Sequence, residues 1–126
     1  MSSGTTDGAA VLRDVLDRWK AAVDAHEPGR VADLFTEDAI FQGLRPYSTG
    51  RPGVAAYYDS QPLGMTADHR LVETRRLADD VVLGYAHVEF SFTDRPAIAV
   101  HLGVLLRRED GDWRIAHYQV SRLGPG

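Results

Sequence analysis

The stretch Ala97-Ile98-Ala99-Val100-His101-Leu102-Gly103-Val104-Leu105-Leu106-Arg107, followed after Arg108-Glu109-Asp110-Gly111-Asp112 by Trp113-Arg114-Ile115-Ala116-His117-Tyr118-Gln119-Val120-Ser121-Arg122, decides the fold of this chain. Both runs are rich in β-branched, aliphatic and aromatic residues, and the Asp-Gly between them is hairpin chemistry. In the first run the even positions Ile98, Val100, Leu102, Val104 and Leu106 are all apolar, whereas the odd positions hold Ala99, His101, Gly103 and Leu105. In the second, Trp113, Ile115, His117, Gln119 and Ser121 share one face by alternation, and Ala116, Tyr118 and Val120 share the other. A three-residue loop pairs Arg108 with Asp112, which sets Gly103 opposite His117 and His101 opposite Gln119. The polar groups then gather in one place, but a slip of one residue would turn them to the other face, so the gathering depends on register.

Working outward, two further β-type runs precede these, Arg70 to Leu77 and Val81 to Phe92, linked by Asp79-Asp80 and followed by the turn Thr93-Asp94-Arg95-Pro96. Four consecutive antiparallel strands make a meander. Upstream the period changes: Leu12, Val15, Leu16, Trp19 and Val23 recur at helical spacing from Asp7, with charged residues between them. Pro28 and Gly29 end that helix near Ala25 or His26, and Pro28 opens a short second one that turns Val31, Leu34 and Phe35 inward. Thr36-Glu37-Asp38 reads as a turn, Ala39 to Gln42 as a short strand, and Gly43 to Thr49 as a surface loop. A third helix runs from Arg51 through Val54, Tyr57 and Tyr58 to about Ser60. Helices followed by strands give an α+β domain with helices on one face of the sheet.

The chain has 126 residues, 44% apolar and 25% charged, which suits one globular domain, read here as 9–123 behind a loose tail, 1–8. No apolar run approaches the roughly 20 residues that span a bilayer, and the tail lacks the basic start and apolar core of a signal peptide, so a cytoplasmic place is the default reading. The absence of cysteine excludes disulfides and thiolate chemistry, and a net charge of −4 offers no field for a phosphate backbone. Nucleic acid and membrane are therefore not expected as partners. The GxSxG elbow, the P-loop and GxGxxG after a strand are missing, so chemistry here would be cofactor-free proton transfer.

The Trp19 helix, Leu34-Phe35-Thr36-Glu37-Asp38-Ala39, the segment Gly50 to Tyr58 and Asp110-Gly111-Asp112-Trp113-Arg114-Ile115-Ala116-His117 together resemble the nuclear transport factor 2-like superfamily, in its SnoaL-like branch. The resemblance covers nearly the whole chain. It implies a cone-shaped sheet, or cystatin-like roll, with three helices on the concave face around a hydrophobic pocket, commonly as a homodimer. Members include polyketide cyclases, isomerases, dehydratases and proteins that only bind ligands, so the fold does not decide the function. SnoaL-like cyclases carry a carboxylate general base on the last strands, yet Trp113 to Gly126 contains neither Asp nor Glu. His117 or Gln119 stands where it would be sought.

Candidate site residues follow from both lines. His117 is the leading acid/base, because imidazole exchanges protons near neutrality, with His101 and Gln119 to polarise a carbonyl or hydroxyl. Trp19, Phe41 and Tyr57 shape the pocket, and Trp113 is a further aromatic that either lines it or fills core. His87 and Glu89 share strand parity: Glu89 is a raised-pKa acid beside His87 if it points inward, and a solvated or interface charge if it points outward. Gly103 either leaves room for a ligand or bends the strand. No His or carboxylate spacing of a metal site occurs. Both sheet faces look buried, and there is too little helix to cover the second, so that face meets another subunit, with the apolar even positions after Ala97 as the contact. Two functions remain open: a cofactor-free cyclase, isomerase or dehydratase acting on a hydrophobic, polyketide-like molecule, or a protein of the same fold that binds and sequesters such a molecule without changing it.

Overall fold

The computed structural model describes residues 7–123. In chain order the elements are α1 (Gly8–Asp24), α2 (Pro28–Asp33), β1 (Phe35–Gln42), β2 (Ser48–Thr49), α3 (Gly50–Asp59), β3 (Thr66–Ala78), β4 (Val81–Ser91), β5 (Ile98–Glu109) and β6 (Asp112–Arg122). One six-stranded sheet holds them in the order β2-β1-β6-β5-β4-β3. The meander is antiparallel throughout, while β1 joins β6 in parallel, a pairing that no local pattern announces.

The helices form where the apolar stripe and the caps agree. Asp7 caps α1, its carboxylate accepting from the Ala9 N–H at 3.3 Å. Asp7 and Gly8 thus belong to the folded body, and the rest of the expected tail lies outside the described residues. The helix stops at His26, which takes a left-handed φ of 52°, with the Glu27 N–H reaching back to the Ala22 carbonyl at 3.0 Å. Val11, Leu12, Val15, Leu16, Trp19 and Val23 line the buried side of α1 against the sheet. Each such side chain removed from water contributes about 1.5–3 kcal/mol. Thr36 to Asp38 is not a turn that ends a helix segment: β1 begins at Phe35 and carries an irregularity between Phe35 and Ile40, with Thr36 Oγ1 donating to Asp38 at 3.0 Å.

The β5–β6 hairpin corrects the sequence reading. Its turn has two residues, Asp110 (φ 52°) and Gly111 (φ 86°), both left-handed, so Glu109 pairs with Asp112 rather than Arg108. A bulge then absorbs Ala116, and from there Leu105 faces His117, Gly103 faces Gln119 and His101 faces Ser121. The extra residue reverses the alternation. Ile115 therefore shares the helix-covered face with Tyr118 and Val120, not with His117 and Gln119.

The even positions of β5 also go to the opposite face from the one proposed for a partner. Val100, Leu102, Val104 and Leu106 are buried beneath the helices with Val82, Ala86 and Val88 of β4. The odd positions are left on the outer face. Gly84 is where α1 comes closest: a Cβ built there would lie 2.4 and 2.6 Å from the Leu12 methyls. Gly84→Ala is expected to overpack this contact and lower stability by about 1–3 kcal/mol in urea melts. Combining it with Leu12→Ala should cost less than the two separate losses added together; simple additivity would show that the helix does not sit on this glycine.

Candidate functional site

Most of the space between the sheet and the helices is filled. Trp19, Phe35, Phe41 and Tyr118 are at most 2% exposed and form one aromatic cluster, with Phe41 and Tyr118 stacked at 4.6 Å and Phe35 edge-on to Phe41 at 5.7 Å. Tyr58, 3% exposed, closes it: Trp19 Nε1 lies 3.1 Å from the Tyr58 hydroxyl, which lies 3.3 Å from that of Tyr118. Trp19 and Phe41, expected to shape a pocket, are instead packed into this core and are not among the residues lining the cavity at the cone mouth.

Room remains at the mouth of the cone, in a cavity of about 150 Å³. Leu44 and Arg45 come from the loop after β1, Tyr57, Tyr58 and Gln61 from α3 and its exit, Met65 from the approach to β3, and Phe90, Phe92 and Ile98 from the facing ends of β4 and β5. Tyr57 is the one residue of the expected pocket set that lines it. Arg45, Tyr57, Tyr58 and Gln61 supply hydrogen-bond donors among apolar walls, and no carboxylate or imidazole is among the lining residues. Burial pushes the Tyr57 phenol up, partly offset by the Leu44 backbone and the Arg45 charge. Burial pushes Tyr58 and Tyr118 up further, so both keep their protons at neutral pH.

The histidines assemble elsewhere. His101, Gly103, His117 and Gln119 line a groove of about 450 Å³ on the face away from the helices, with Leu83, Tyr85, Leu105 and Ser121. The reason is the alternation: once the apolar even positions of β5 take the covered side, His101 and Gly103 must take the other. The sheet register sets out this face in rows across the strands. One row runs Ile40, His117, Leu105, Leu83 and Arg75; the next runs Gln42, Gln119, Gly103, Tyr85 and Glu73; a third runs Ser121, His101, His87 and Arg70. His117 Nε2 is 3.4 Å from Gln119 Oε1, and the His101 ring meets Tyr85 edge-on at 4.8 Å. Arg70, which can only donate, gives a hydrogen bond to His87 Nδ1 at 2.9 Å and so fixes that nitrogen as an acceptor. The Tyr85 ring also lies over Gly103, 3.4 Å from where a Cβ would stand.

Glu89 is exposed on this outer face between Asp68 and Ala99. Trp113 sits at the far hairpin between the Arg76 and Arg108 guanidinium groups, 5.7 and 5.5 Å from its ring, and lines neither cavity. The imidazoles and the expected pocket aromatics therefore occupy opposite faces of the sheet. Tyr58, an aromatic that the sequence leaves open between core and cavity, stands four residues after Val54 on the inner stripe of α3 and lines the cavity beside Tyr57. A polar cluster that no sequence motif marks gathers at the edge between α1 and β3. Asp24 accepts from the Ala67 N–H at 2.9 Å and from Lys20 Nζ at 2.9 Å, Lys20 also reaches Asp68 at 3.1 Å, and His69 Nε2 meets Asp17 at 3.2 Å.

Residues 6–119 match the SnoaL-like domain, and the chain belongs to that family. A ketosteroid isomerase-like protein from Erwinia carotovora atroseptica has a similar structure, with a TM-score of 0.82 at 22% identity over 95% of this chain and 99% of that one. A domain with a cystatin-like fold from Nostoc punctiforme gives 0.82 at 16% over 96% and 80%. Hexachlorocyclohexane dehydrochlorinase (LinA) type 2 gives 0.77 at 17% over 90% and 84%. Among curated proteins none matches significantly. These likenesses establish the cystatin-like, nuclear transport factor 2-like fold. Among the described residues no helix is long and apolar enough to cross a membrane.

The buried phenols set a pH limit on stability. Unfolding returns Tyr58 and Tyr118 to the ordinary range near 10, so above that pH the unfolded chain releases protons that the folded chain retains. Their contribution is complete below pH 10 and is lost as pH rises, by about 1.4 kcal/mol per pH unit for each group that stays protonated. Urea melts at pH 8 and 11 should show this loss in the wild type and a shallower one in Tyr118→Phe. An equal pH slope in both proteins would show that Tyr118 ionises freely.

Proposed function

We propose that this domain binds a small, largely apolar, ring-bearing molecule of the polyketide or secondary-metabolite type in the cavity at the cone mouth, and holds it without abstracting a proton. The observation that carries this reading is the lining: apolar and aromatic walls with tyrosine, glutamine and arginine donors and no basic group to take a proton. The family and its structural neighbours support a ligand-binding domain of this fold without fixing a substrate. One neighbour is named for action on a cyclic chlorinated hydrocarbon, which suits an apolar pocket.

The second reading, a cofactor-free cyclase, isomerase or dehydratase with His117 as acid/base and His101 and Gln119 as polarising groups, draws on the convergence of these three around the outer groove. Leu83, Leu105, Ile40 and Tyr85 give the same face an apolar centre, which suits a second copy of the chain packed sheet to sheet. A homodimer of that kind would enclose the imidazoles between the two copies, and any substrate acted on by His117 would have to enter there. Leu105→Glu is expected to turn a sedimenting dimer into a folded monomer; a wild type that sediments as a monomer at micromolar concentration ends the dimer reading.

Titration with a panel of one- to three-ring aromatic ketones and phenols, followed by calorimetry and by mass spectrometry over hours, separates the two functions. Saturable binding with unchanged ligand mass, lost by at least tenfold in Phe92→Asp and retained in His117→Ala, is the expected outcome. A product whose formation stops in His117→Ala would replace binding by catalysis, and failure of the whole panel to bind up to millimolar concentration would remove the cavity from the account.

A further inference from the structure

The loop that follows β1 carries Arg45 to the rim of the cone-mouth cavity and is tied down on the way there. Gly43 packs against the Tyr57 ring: a Cβ built on it would stand 2.7 Å from two ring carbons and 2.8 Å from the hydroxyl, so no larger residue fits without moving the ring. Gln42, the last residue of β1, holds the loop from the strand side. Its Nε2 donates to the Gly43 carbonyl at 3.0 Å and to the Arg45 carbonyl at 2.6 Å. The backbone on both sides of Leu44 is thereby held, and with it the point from which the Arg45 side chain leaves.

The Arg45 guanidinium has no counter-charge of its own. Arg18, Arg75 and Arg95 each meet a carboxylate within 3.0 Å, whereas Arg45 meets none among the described residues. The cavity offers none either, since its lining contains no Asp or Glu. The charge still reaches that lining: it favours the ionised form of Tyr57, so the guanidinium stands within electrostatic range of a phenol on the cavity wall. Because Arg45 is exposed, water solvates it and stability requires no internal partner. A guanidinium that is unopposed in charge, and whose fork matches the two oxygens of a carboxylate, is a receptor for one.

We infer that Arg45 pairs with a carboxylate on the molecule held in the cavity, which makes that ligand an organic acid with its ring system among Phe90, Phe92 and Ile98 and its ionised group at the rim. This deepens the binding reading and rests on it. The two ends of the site then have different tasks: apolar burial supplies the attraction common to all ring compounds, and the rim charge selects among them. A local cation also answers the field of the whole chain. With a net charge of −4 the protein repels an acid at long range, and an unopposed arginine at the entrance reverses the sign where the acid must enter.

The test compares 2-naphthoate with 2-naphthamide, which share a ring frame and differ in charge, by calorimetric titration of the wild type, Arg45→Gln and Arg13→Gln at neutral pH and low ionic strength. The wild type is expected to bind the acid about tenfold more tightly, the size of one charge-assisted hydrogen bond. Arg45→Gln should level the two affinities. Arg13→Gln, which removes an exposed cation of α1 that is not among the lining residues, should keep the gap. A gap that survives in Arg45→Gln overturns the inference, and so does one that Arg13→Gln removes as fully, because overall charge would then be its cause. Equal wild-type affinities overturn the acid assignment and leave the apolar cavity reading intact, whereas binding of neither compound removes both. The naphthamide affinity of each variant checks that the cavity persists. Should Arg45→Gln lose it, Arg45→Lys decides: part of the gap retained supports the pairing, and no gap overturns it.

Discussion

The two-residue turn at Asp110-Gly111 and the extra residue at Ala116 together fix which side chains of β6 face the helices, and both cavities depend on that choice. The turn sets the register of β5 against β6, and the bulge reverses the alternation so that Ile115 and Tyr118, three positions apart, both turn inward. Tyr118 then meets Phe41 and Tyr58 beneath α1 and α3. Without the bulge a histidine would be driven into this aromatic cluster, where its polar ring would need partners that the site does not offer.

Around that cluster the sheet has two faces of different character. The inner one buries Trp19, Phe35, Phe41, Tyr118 and the even-numbered side chains of β5, and a cavity lies at its mouth between α3 and the ends of β4 and β5. The outer one carries imidazoles, Tyr85 and aliphatic side chains in rows, bordered on the β3 side by Arg70, Glu73 and Arg75. The inner face suits a guest molecule and the outer face suits a second copy of the chain, because the first offers enclosed donors among apolar walls and the second a broad amphipathic surface.

His69 illustrates the structural reading of a histidine. It packs between β3 and α1, held through Nε2 to Asp17, with Nδ1 buried and unpartnered. His26 ends a helix through a left-handed backbone. Two of the five histidines thus have local structural duties, and the other three share the outer face because β4, β5 and β6 are adjacent and carry them in matching phase.

The sequence by itself determined the class of fold. The helical spacing of Leu12 to Val23, the Pro28 and Gly29 break and four strand-period runs with turn chemistry between them are local signals, and local backbone preference answers them directly. It also determined that His101, Gly103, His117 and Gln119 would be neighbours, since adjacent strands of a meander carry them in any register near the true one. Only the tertiary structure decided which face they occupy, that β1 would lie parallel to β6, and that Tyr58 rather than Trp19 would face the open cavity. The physical reason is that a strand's two faces are equivalent until something covers one of them. Coverage comes from helices far away in the chain, and a single bulged residue, which leaves no mark on composition or period, can exchange the faces beyond it.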